Sequence, residues 1–279
     1  MALPILHNWK TYFANHHEGL GSSYERTILN ILLQDLKKEY NLNAVLEVPV
    51  FGFTGITGIN SMALYLSGCK VTQVDHDKER IKYIQNILME LKADINIEAV
   101  ETYNILPFQD KSFDMSWNFS ALWFVEDLTR FLSELSRITS KIILLCVPNQ
   151  SGLGYKWQKA HSDIPKGIVF NEINIDPVFI KAVMMKLNWR LVNEAYIDCP
   201  LWPDIGMSKE KFFGRILPFL AQTNSQAEPV KQINILDYYR GLDTGFADRM
   251  QKYAFLENHA PDVIKKYWSH HRWLLFEPI

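Results

Sequence analysis

Short strand-like runs alternate with helix-like segments along residues 44–149, and this alternation restricts the possible folds more than any other feature. Parallel strands need a crossover long enough to hold a helix, whereas antiparallel neighbours need only a tight turn. The pattern therefore predicts a doubly wound, mostly parallel α/β sheet with helices on both faces. The predicted strands of this part are residues 44–50, 70–75, 95–101, 112–119 and 141–149.

Two later strand-like runs, at residues 189–198 and 272–278, bring the predicted sheet to seven strands. Roughly seventy residues of mostly helical pattern separate these two runs, which is too long for a plain loop. We therefore expect a helical insertion or lid at residues 200–268, before the last strand.

Charge and apolar patterning exclude several classes of partner. The chain has 29 basic and 31 acidic side chains and a formal charge of -2, so it has no bulk attraction to nucleic acid or acidic lipid. Its apolar runs are shorter than the roughly 18 residues that span a bilayer, and its first residues lack a signal-peptide pattern. We expect a cytoplasmic protein with no nucleic-acid or membrane partner. The cysteines Cys69, Cys146 and Cys199 are widely spaced in apolar surroundings, which favours buried thiols.

A glycine-rich turn follows the first strand, and a carboxylate lies on each side of it. In open α/β sheets, ligands bind at the carboxyl ends of the strands. The GxxGxxG spacing differs from the GxGxxG of dinucleotide-binding turns. Glu47 would repel a phosphate there, since like charges about 4 Å apart cost on the order of 4 kcal/mol at an effective dielectric near 20. The turn favours a cationic, phosphate-free ligand such as S-adenosylmethionine, with Asp75 accepting the ribose hydroxyls. Surface or capping roles for both acids remain open.

The motifs "VLEV", "VTQVDHD", "ILPFQDKSFDMSWNFSALWFVEDL" and "KIILLCVPN" resemble the class I S-adenosylmethionine-dependent methyltransferases, which are Rossmann-like. The segment "LENHAPDVIKKYWSHHRWLLFEP" is similar to the last helix and the antiparallel seventh strand of that family. The resemblance covers most of residues 24–149 and the final part of the chain. It implies S-adenosylmethionine as the cofactor, with Glu47 as the acid of the first motif and Asp75 as the ribose acid.

Two departures from the family pattern concern the cofactor site. Pro49 stands at the first glycine position, in a turn longer than usual. The acid often found before "LPF" is absent, so Thr102, Tyr103 or Asn104 must serve beside the adenine. The expected cofactor-binding residues are Tyr24, Arg26, Glu47, Gly52, Thr54, Gly55, Gly58, Asp75, His76, Tyr103, Asn104, Ile105 and Phe119.

The segment "GLGSSYERT" predicts a helix start with Ser22 or Ser23 as its N-cap, which could close over the cofactor. A packing helix whose Arg26 pairs with an acid is the alternative. The whole chain, residues 1–279, is interpreted as a single methyltransferase domain. Within it, residues 1–42 form an N-terminal helical cap and residues 43–150 the cofactor-binding half.

On the acceptor side, methyl transfer is an in-line displacement that needs positioning and exclusion of water more than a dedicated base. His161 is a weak candidate for a general base, with simple solvent exposure as the alternative. The histidine pairs 16–17 and 270–271 predict no metal site, because adjacent side chains diverge and neither pair can chelate alone. The candidates for the substrate pocket, for which ordinary packing is the alternative, are Trp123, Tyr155, Trp157, Trp202 and Tyr239.

The expected function is methyl transfer to a small-molecule acceptor, with the insertion as a lid. An interface for a homodimer or a protein substrate competes with the lid interpretation. A non-catalytic protein of the same fold is the second hypothesis, favoured by Pro49, the longer turn and the missing acid. A dinucleotide-dependent oxidoreductase is the third, disfavoured by Glu47 and the glycine spacing.

Overall fold

The computed structural model describes residues 5–161, 171–202 and 234–279. Seven strands form one sheet in the order β3-β2-β1-β4-β5-β7-β6. All pairs from β3 to β5 are parallel, and β7 runs antiparallel to both β5 and β6. The predicted fold class is confirmed. The strands are β1 Ala44–Glu47, β2 Lys70–Asp75, β3 Asn96–Ala99, β4 Phe113–Phe119, β5 Thr139–Pro148, β6 Trp189–Ile197 and β7 His271–Pro278.

Helices connect the strands and cover the sheet, which is why the central strands β4 and β5 are almost continuously buried. Two short 3₁₀ helices occupy Leu122–Phe124 and Glu172–Ile175. The α-helices are α1 Ile5–Asn15, α2 Gly19–Tyr40, α3 Met62–Leu66, α4 Lys78–Glu90, α5 Leu128–Ile138, α6 Leu153–His161, α7 Pro177–Lys186, α8 Ile235–Tyr239, α9 Phe246–Gln251, α10 Phe255–His259 and α11 Asp262–Trp268.

Helix α2 begins at Gly19, so the predicted N-cap at Ser22 or Ser23 is wrong. The residue at the N-cap position is Glu18, whose side chain makes no capping bond. A positive φ of 76° at Gly19 turns the chain into the helix. The serines are consequently buried inside α2, and so are the three residues Tyr24, Glu25 and Arg26 that follow them.

Helix α4 begins directly after β2 and determines which side chain faces the end of that strand. Asp77 is its N-cap, and its carboxylate accepts hydrogen bonds from the backbone N–H groups of Glu79 and Arg80. Arg80 therefore lies in the first turn of α4, next to the carboxyl end of β2 where Asp75 is located.

The described part of the expected insertion, residues 234–268, consists of the four short helices α8 to α11. Residues 203–233 of that insertion lie outside the described residues, and the lid and cap assignments stay predictions. No helix among the described residues is long and apolar enough to cross a membrane. The three cysteines are buried and free of disulfides, as expected.

Candidate functional site

Glu47 ends β1 and is almost completely buried beneath the glycine turn. Its carboxylate accepts hydrogen bonds from Asn60 Nδ2 at 3.1 Å, Ser61 Oγ at 2.7 Å and Gln73 Nε2 at 3.0 Å. Burial raises the pKa of this carboxyl to about 7, although the three hydrogen bonds favour its charged form. Glu47 thus ties the start of α3 and the neighbouring strand β2 to the end of β1.

We expect Glu47 to make stability depend on pH. Its folded-state pKa of about 7 lies above the ordinary value of 4.5, so the folded protein binds this proton more tightly than the unfolded chain does. The resulting stabilisation is present below pH 4.5 and is lost as the pH rises through 7, on the order of 3 kcal/mol in all. Urea unfolding at a series of pH values should show this fall, and Glu47→Gln should make it smaller.

Part of the fall should persist in Glu47→Gln, because burial also raises the pKa of Glu257 to about 7. Parallel stability curves for the wild type and Glu47→Gln would show that Glu47 is not the titrating group.

The glycines let the turn pack closely against the rest of the protein. A Cβ at Gly52 would lie 2.3 Å from the carbonyl oxygen of Phe119 at the end of β4. Gly58 has a φ of 90°, and a Cβ there would lie 2.4 Å from Ile84 Cγ2 on α4. The turn is thereby pressed against β4 and α4, and Thr54 is half-buried within it.

Arg26 is fully buried behind this turn. Its guanidinium pairs with both carboxylate oxygens of Glu18, and it donates to Asn60 Oδ1 at 2.5 Å. Its charge also lies 4.1 Å from the centre of the Phe53 ring. Arg26 therefore links the glycine turn to α2 inside the protein. This arrangement corresponds to the alternative interpretation of the sequence, in which α2 is a packing helix and Arg26 pairs with an acid.

Asp75 ends β2 and is fully buried, and both of its oxygens are occupied by Arg80. Arg80 Nε donates to Oδ2 at 2.5 Å and Nη2 donates to Oδ1 at 2.5 Å, a bidentate pair. The guanidinium lies between two aromatic rings, 3.9 Å from the centre of Phe51 and 5.7 Å from that of Trp9. Arg80 therefore fills the space beside the carboxylate that the ribose hydroxyls were expected to use.

Beyond Asp75, a cavity of about 70 Å³ lies on the expected adenine side. Tyr103 lines this cavity, and its hydroxyl oxygen lies 2.8 Å from His76 Nδ1. The Oδ1 atom of Asn104 nearby is buried without a hydrogen-bond partner, while Ile105 is 73% exposed. Pockets for small ligands usually measure roughly 300–1,000 Å³, so this cavity must widen to admit a nucleoside. The cavity is lined by His76, Glu101, Thr102, Tyr103, Phe124 and Glu126.

Two of the expected site residues meet near the end of β6. The Tyr24 and Trp202 rings are in edge contact with 5.8 Å between centroids, and the Tyr24 hydroxyl donates to Glu257 at 3.4 Å. Phe119 lies between this region and the glycine turn, in contact with Phe53 and His271.

The other candidates for the substrate pocket are dispersed. Trp123 is fully buried beside Phe124, and Tyr239 is bonded to Asn30. Tyr155 reaches Glu172, and Trp157 is 49% exposed. His161 is the last residue of α6, and its side chain lies outside the described residues. The described partners of Trp123, Tyr155 and Tyr239 thus differ from those of Trp202, which contacts Tyr24 and Tyr253.

Sequence reasoning missed a buried cluster of titratable groups at the carboxyl edge of the sheet. Asp198 follows β6, His270 and His271 mark the beginning of β7, and Glu25 projects from α2. The Nδ1 atom of His271 is 2.8 Å from Glu25 Oε1, and that of His270 is 2.6 Å from Asp198 Oδ2. Although burial opposes protonation, the two carboxylates raise the pKa of His271 to about 9. The adjacent histidines were visible in the sequence, but their partners on other elements were not.

The residues present fit an adenosyl cofactor only in part. The unpaired Asn104 Oδ1 and the buried acids at two neighbouring strand ends suit an adenosyl group. The pairing of Asp75 with Arg80 does not, because a ribose could reach the carboxylate only after Arg80 had moved away.

Comparison with known proteins agrees with this architecture. Residues 54–142 match the family model described as a methyltransferase domain. No curated protein matches the chain in sequence. A solved S-adenosylmethionine-dependent methyltransferase from Clostridium acetobutylicum is similar in fold, with a TM-score of 0.51, 8% identity and coverage of 91% of this chain and 92% of that protein.

Two further solved structures share the fold. A candidate sarcosine dimethylglycine methyltransferase from Galdieria sulphuraria has a TM-score of 0.51 and 8% identity, over 89% of this chain and 84% of that one. A candidate methyltransferase of Haloferax volcanii, solved in complex with a methyltransferase activator, has a TM-score of 0.50 and 12% identity, over 97% of this chain and 96% of that one. At identities this low, the structural similarity shows a shared fold alone. The matched domain supports methyl transfer from an S-adenosylmethionine-type cofactor in general. The chain has the fold and the matched domain of the class I, Rossmann-like methyltransferases.

Proposed function

We propose that this chain transfers a methyl group from S-adenosylmethionine to a small organic molecule. The observation that carries the proposal is the buried carboxylate of Asp75 at the carboxyl end of β2, inside the segment that matches the methyltransferase domain. Open α/β sheets bind their ligands at this edge. The near-neutral charge of the chain favours a small acceptor over a nucleic acid.

In this proposal the cofactor supplies the methyl group, and the chain binds and orients the two reactants. Asp75 would hold the ribose by accepting its hydroxyl protons once Arg80 had released the carboxylate, and Asn104 Oδ1 would accept a hydrogen bond from the adenine amino group. Glu47 stays with Asn60, Ser61 and Gln73 and holds the turn. Tyr24 and Trp202 line the acceptor side, where their aromatic surfaces exclude water.

Isothermal titration with S-adenosylhomocysteine tests this assignment. We expect the wild type to bind the probe and Asp75→Asn to bind it roughly ten- to a hundredfold more weakly, since hydrogen bonds to a charged group contribute roughly 1.5–3 kcal/mol. The Arg80→Gln variant should bind S-adenosylhomocysteine about tenfold more tightly than the wild type. The glutamine amide can still donate one hydrogen bond to Asp75, but a single bond is easier for the ribose to displace than the bidentate pair of Arg80.

The far-ultraviolet circular dichroism of each variant serves as the folding control. Absence of binding to both the wild type and Arg80→Gln would contradict the proposal. Equal affinity of the wild type and Asp75→Asn would reject the ribose role alone.

A non-catalytic protein of the same fold is the second candidate function. The pairing of Asp75 with Arg80 favours it, because a permanently paired acid supports the fold and leaves no ribose site. A mass-spectrometric search for methylated products, in cell extract supplied with S-adenosylmethionine and the purified chain, distinguishes the two. Products would support the enzyme, whereas probe binding without any product would support the second candidate.

A further inference from the structure

Three buried side chains from separate parts of the fold converge beyond the end of β4. Glu25 comes from α2, Asp198 follows β6 and His271 begins β7. Their nearest ligand-type atoms, one carboxylate oxygen from each acid and one imidazole nitrogen, all lie within 4.8 Å of one another. We infer that Glu25, Asp198 and His271 form a binding site for one divalent transition-metal ion.

The close contact between Glu25 and His271 brings two ligand-type atoms to the distance at which they could share one metal ion. Glu25 Oε1 and His271 Nδ1 are 2.8 Å apart, yet both atoms are buried without a hydrogen bond of acceptable geometry. The two residues are only 7% and 5% exposed, so both groups are buried. Buried polar atoms need a partner, and one cation between the two atoms and Asp198 would supply it.

The surrounding groups provide the outer contacts that metal ligands usually have. His271 Nε2 lies 3.2 Å from Ser120 Oγ, so the ring can bind a metal through Nδ1 while its other nitrogen donates to the hydroxyl. Asp198 Oδ2 is 2.6 Å from His270 Nδ1, and the His270 backbone N–H donates to the Asp198 carbonyl at 2.9 Å. Both outer contacts fix the orientation of a proposed ligand.

The charge balance of the cluster agrees with a bound cation. Three carboxylates, those of Glu25, Asp198 and Glu257, lie in or beside it, with Lys265 near Glu257, and the other titratable groups facing it are Tyr24, Cys146, Cys199 and the two imidazoles. Burying several carboxylates is costly unless cations compensate them. Protonation of both imidazoles is the competing way to supply that positive charge.

The donor set limits which ions would bind. Two carboxylates and one neutral imidazole suit Zn²⁺, Co²⁺, Fe²⁺ or Mn²⁺, and the lack of a thiolate among the three makes Cu⁺ a poor fit. Three protein ligands are typical of sites that keep a position for water or a substrate atom. Because His271 touches Phe119, such a position would lie next to the Phe119 ring at the end of β4. This assignment rests on the cluster alone and does not depend on the proposed methyl donor.

Titration of the chelator-treated, full-length chain with Co²⁺, followed by Zn²⁺ competition, tests the site. We expect one Co²⁺ per chain, with the visible absorption of a protein-bound ion, and its displacement by one Zn²⁺. Glu25→Gln and His271→Gln should each weaken binding at least a hundredfold. The matched control is His259→Gln, which changes a histidine of α10 that lies against Phe255 and should leave binding unchanged.

Two outcomes would overturn the assignment. Absence of a stoichiometric Co²⁺ site in the wild type would leave protonated histidines as the source of positive charge. Stoichiometric binding that Glu25→Gln and His271→Gln both leave unchanged would put the ion elsewhere. A second readout covers poorly folding variants: Zn²⁺ should raise the Tm of the wild type, and Asp198→Asn, which preserves side-chain volume, should abolish that rise.

Discussion

Alanine at Gly52 is expected to lower the free energy of unfolding by about 3 kcal/mol, the upper end of the usual cost of overpacking. The new Cβ would lie 2.3 Å from the Phe119 carbonyl oxygen and 2.8 Å from the Ser120 carbonyl carbon. These are backbone atoms at the end of the central strand β4, so no rotamer change can relieve the contact. Urea unfolding, followed by tryptophan fluorescence, measures the loss.

Gly21→Ala is the matched control for this substitution. Gly21 lies in α2, and a Cβ there would meet nothing within 4 Å. Alanine should stabilise the protein at that position by roughly 0.5–1 kcal/mol, because it loses less backbone entropy than glycine in a helix. A Gly52→Ala variant within 0.5 kcal/mol of the wild type would show that the turn can move away from β4 at little cost.

Loss of the Arg26 charge is expected to destabilise the protein by about 3–5 kcal/mol. In Arg26→Met, the buried Glu18 carboxylate would lose its cationic partner, and Asn60 would lose a donor. The double variant Glu18→Gln, Arg26→Met should recover much of the loss, because it removes the unpaired buried charge. A double-mutant cycle by urea unfolding measures the coupling between the two residues.

An exposed ion pair provides the control for this cycle. Arg130 pairs with Asp127, but their side chains are 74% and 45% exposed. Arg130→Met should change stability by less than about 0.5 kcal/mol, since solvent screens such pairs. If the losses for Glu18→Gln and Arg26→Met simply added, the buried pair would contribute no more than an exposed one.

The sheet could be predicted because strand and helix periodicities depend on residues close together in the sequence. Seven strands were recognised, and the resemblance implied that β7 is antiparallel. The start of α2 was misplaced because the helix begins at Gly19 without a side-chain cap, so the serines offered a misleading signal. Hydrophobic periodicity thus predicted the helices and strands well. It could not locate the start of α2, which is set by the backbone at Gly19 and has no side-chain cap.

The site was less predictable because its contacts join distant residues. Glu47 and Asp75 were located correctly at their strand ends, but nothing in "VDHDKER" distinguishes a buried Arg80 from a solvated helix residue. Adjacent histidines can be recognised in a sequence only as pairs, without their partners on other elements. His270 meets Asp198 across 72 positions, and only the pairing of β6 with β7 brings them together.

The place of β7 between β5 and β6 has a consequence for the order of assembly. Strand β6 is made earlier on the ribosome but, among the described residues, has no neighbour in the sheet except β7. The backbone groups of β6 therefore stay unpaired until β7 has been synthesised and has paired with both β5 and β6. His271 belongs to that same strand, so its contact with Phe119 can form only once β7 has joined the sheet.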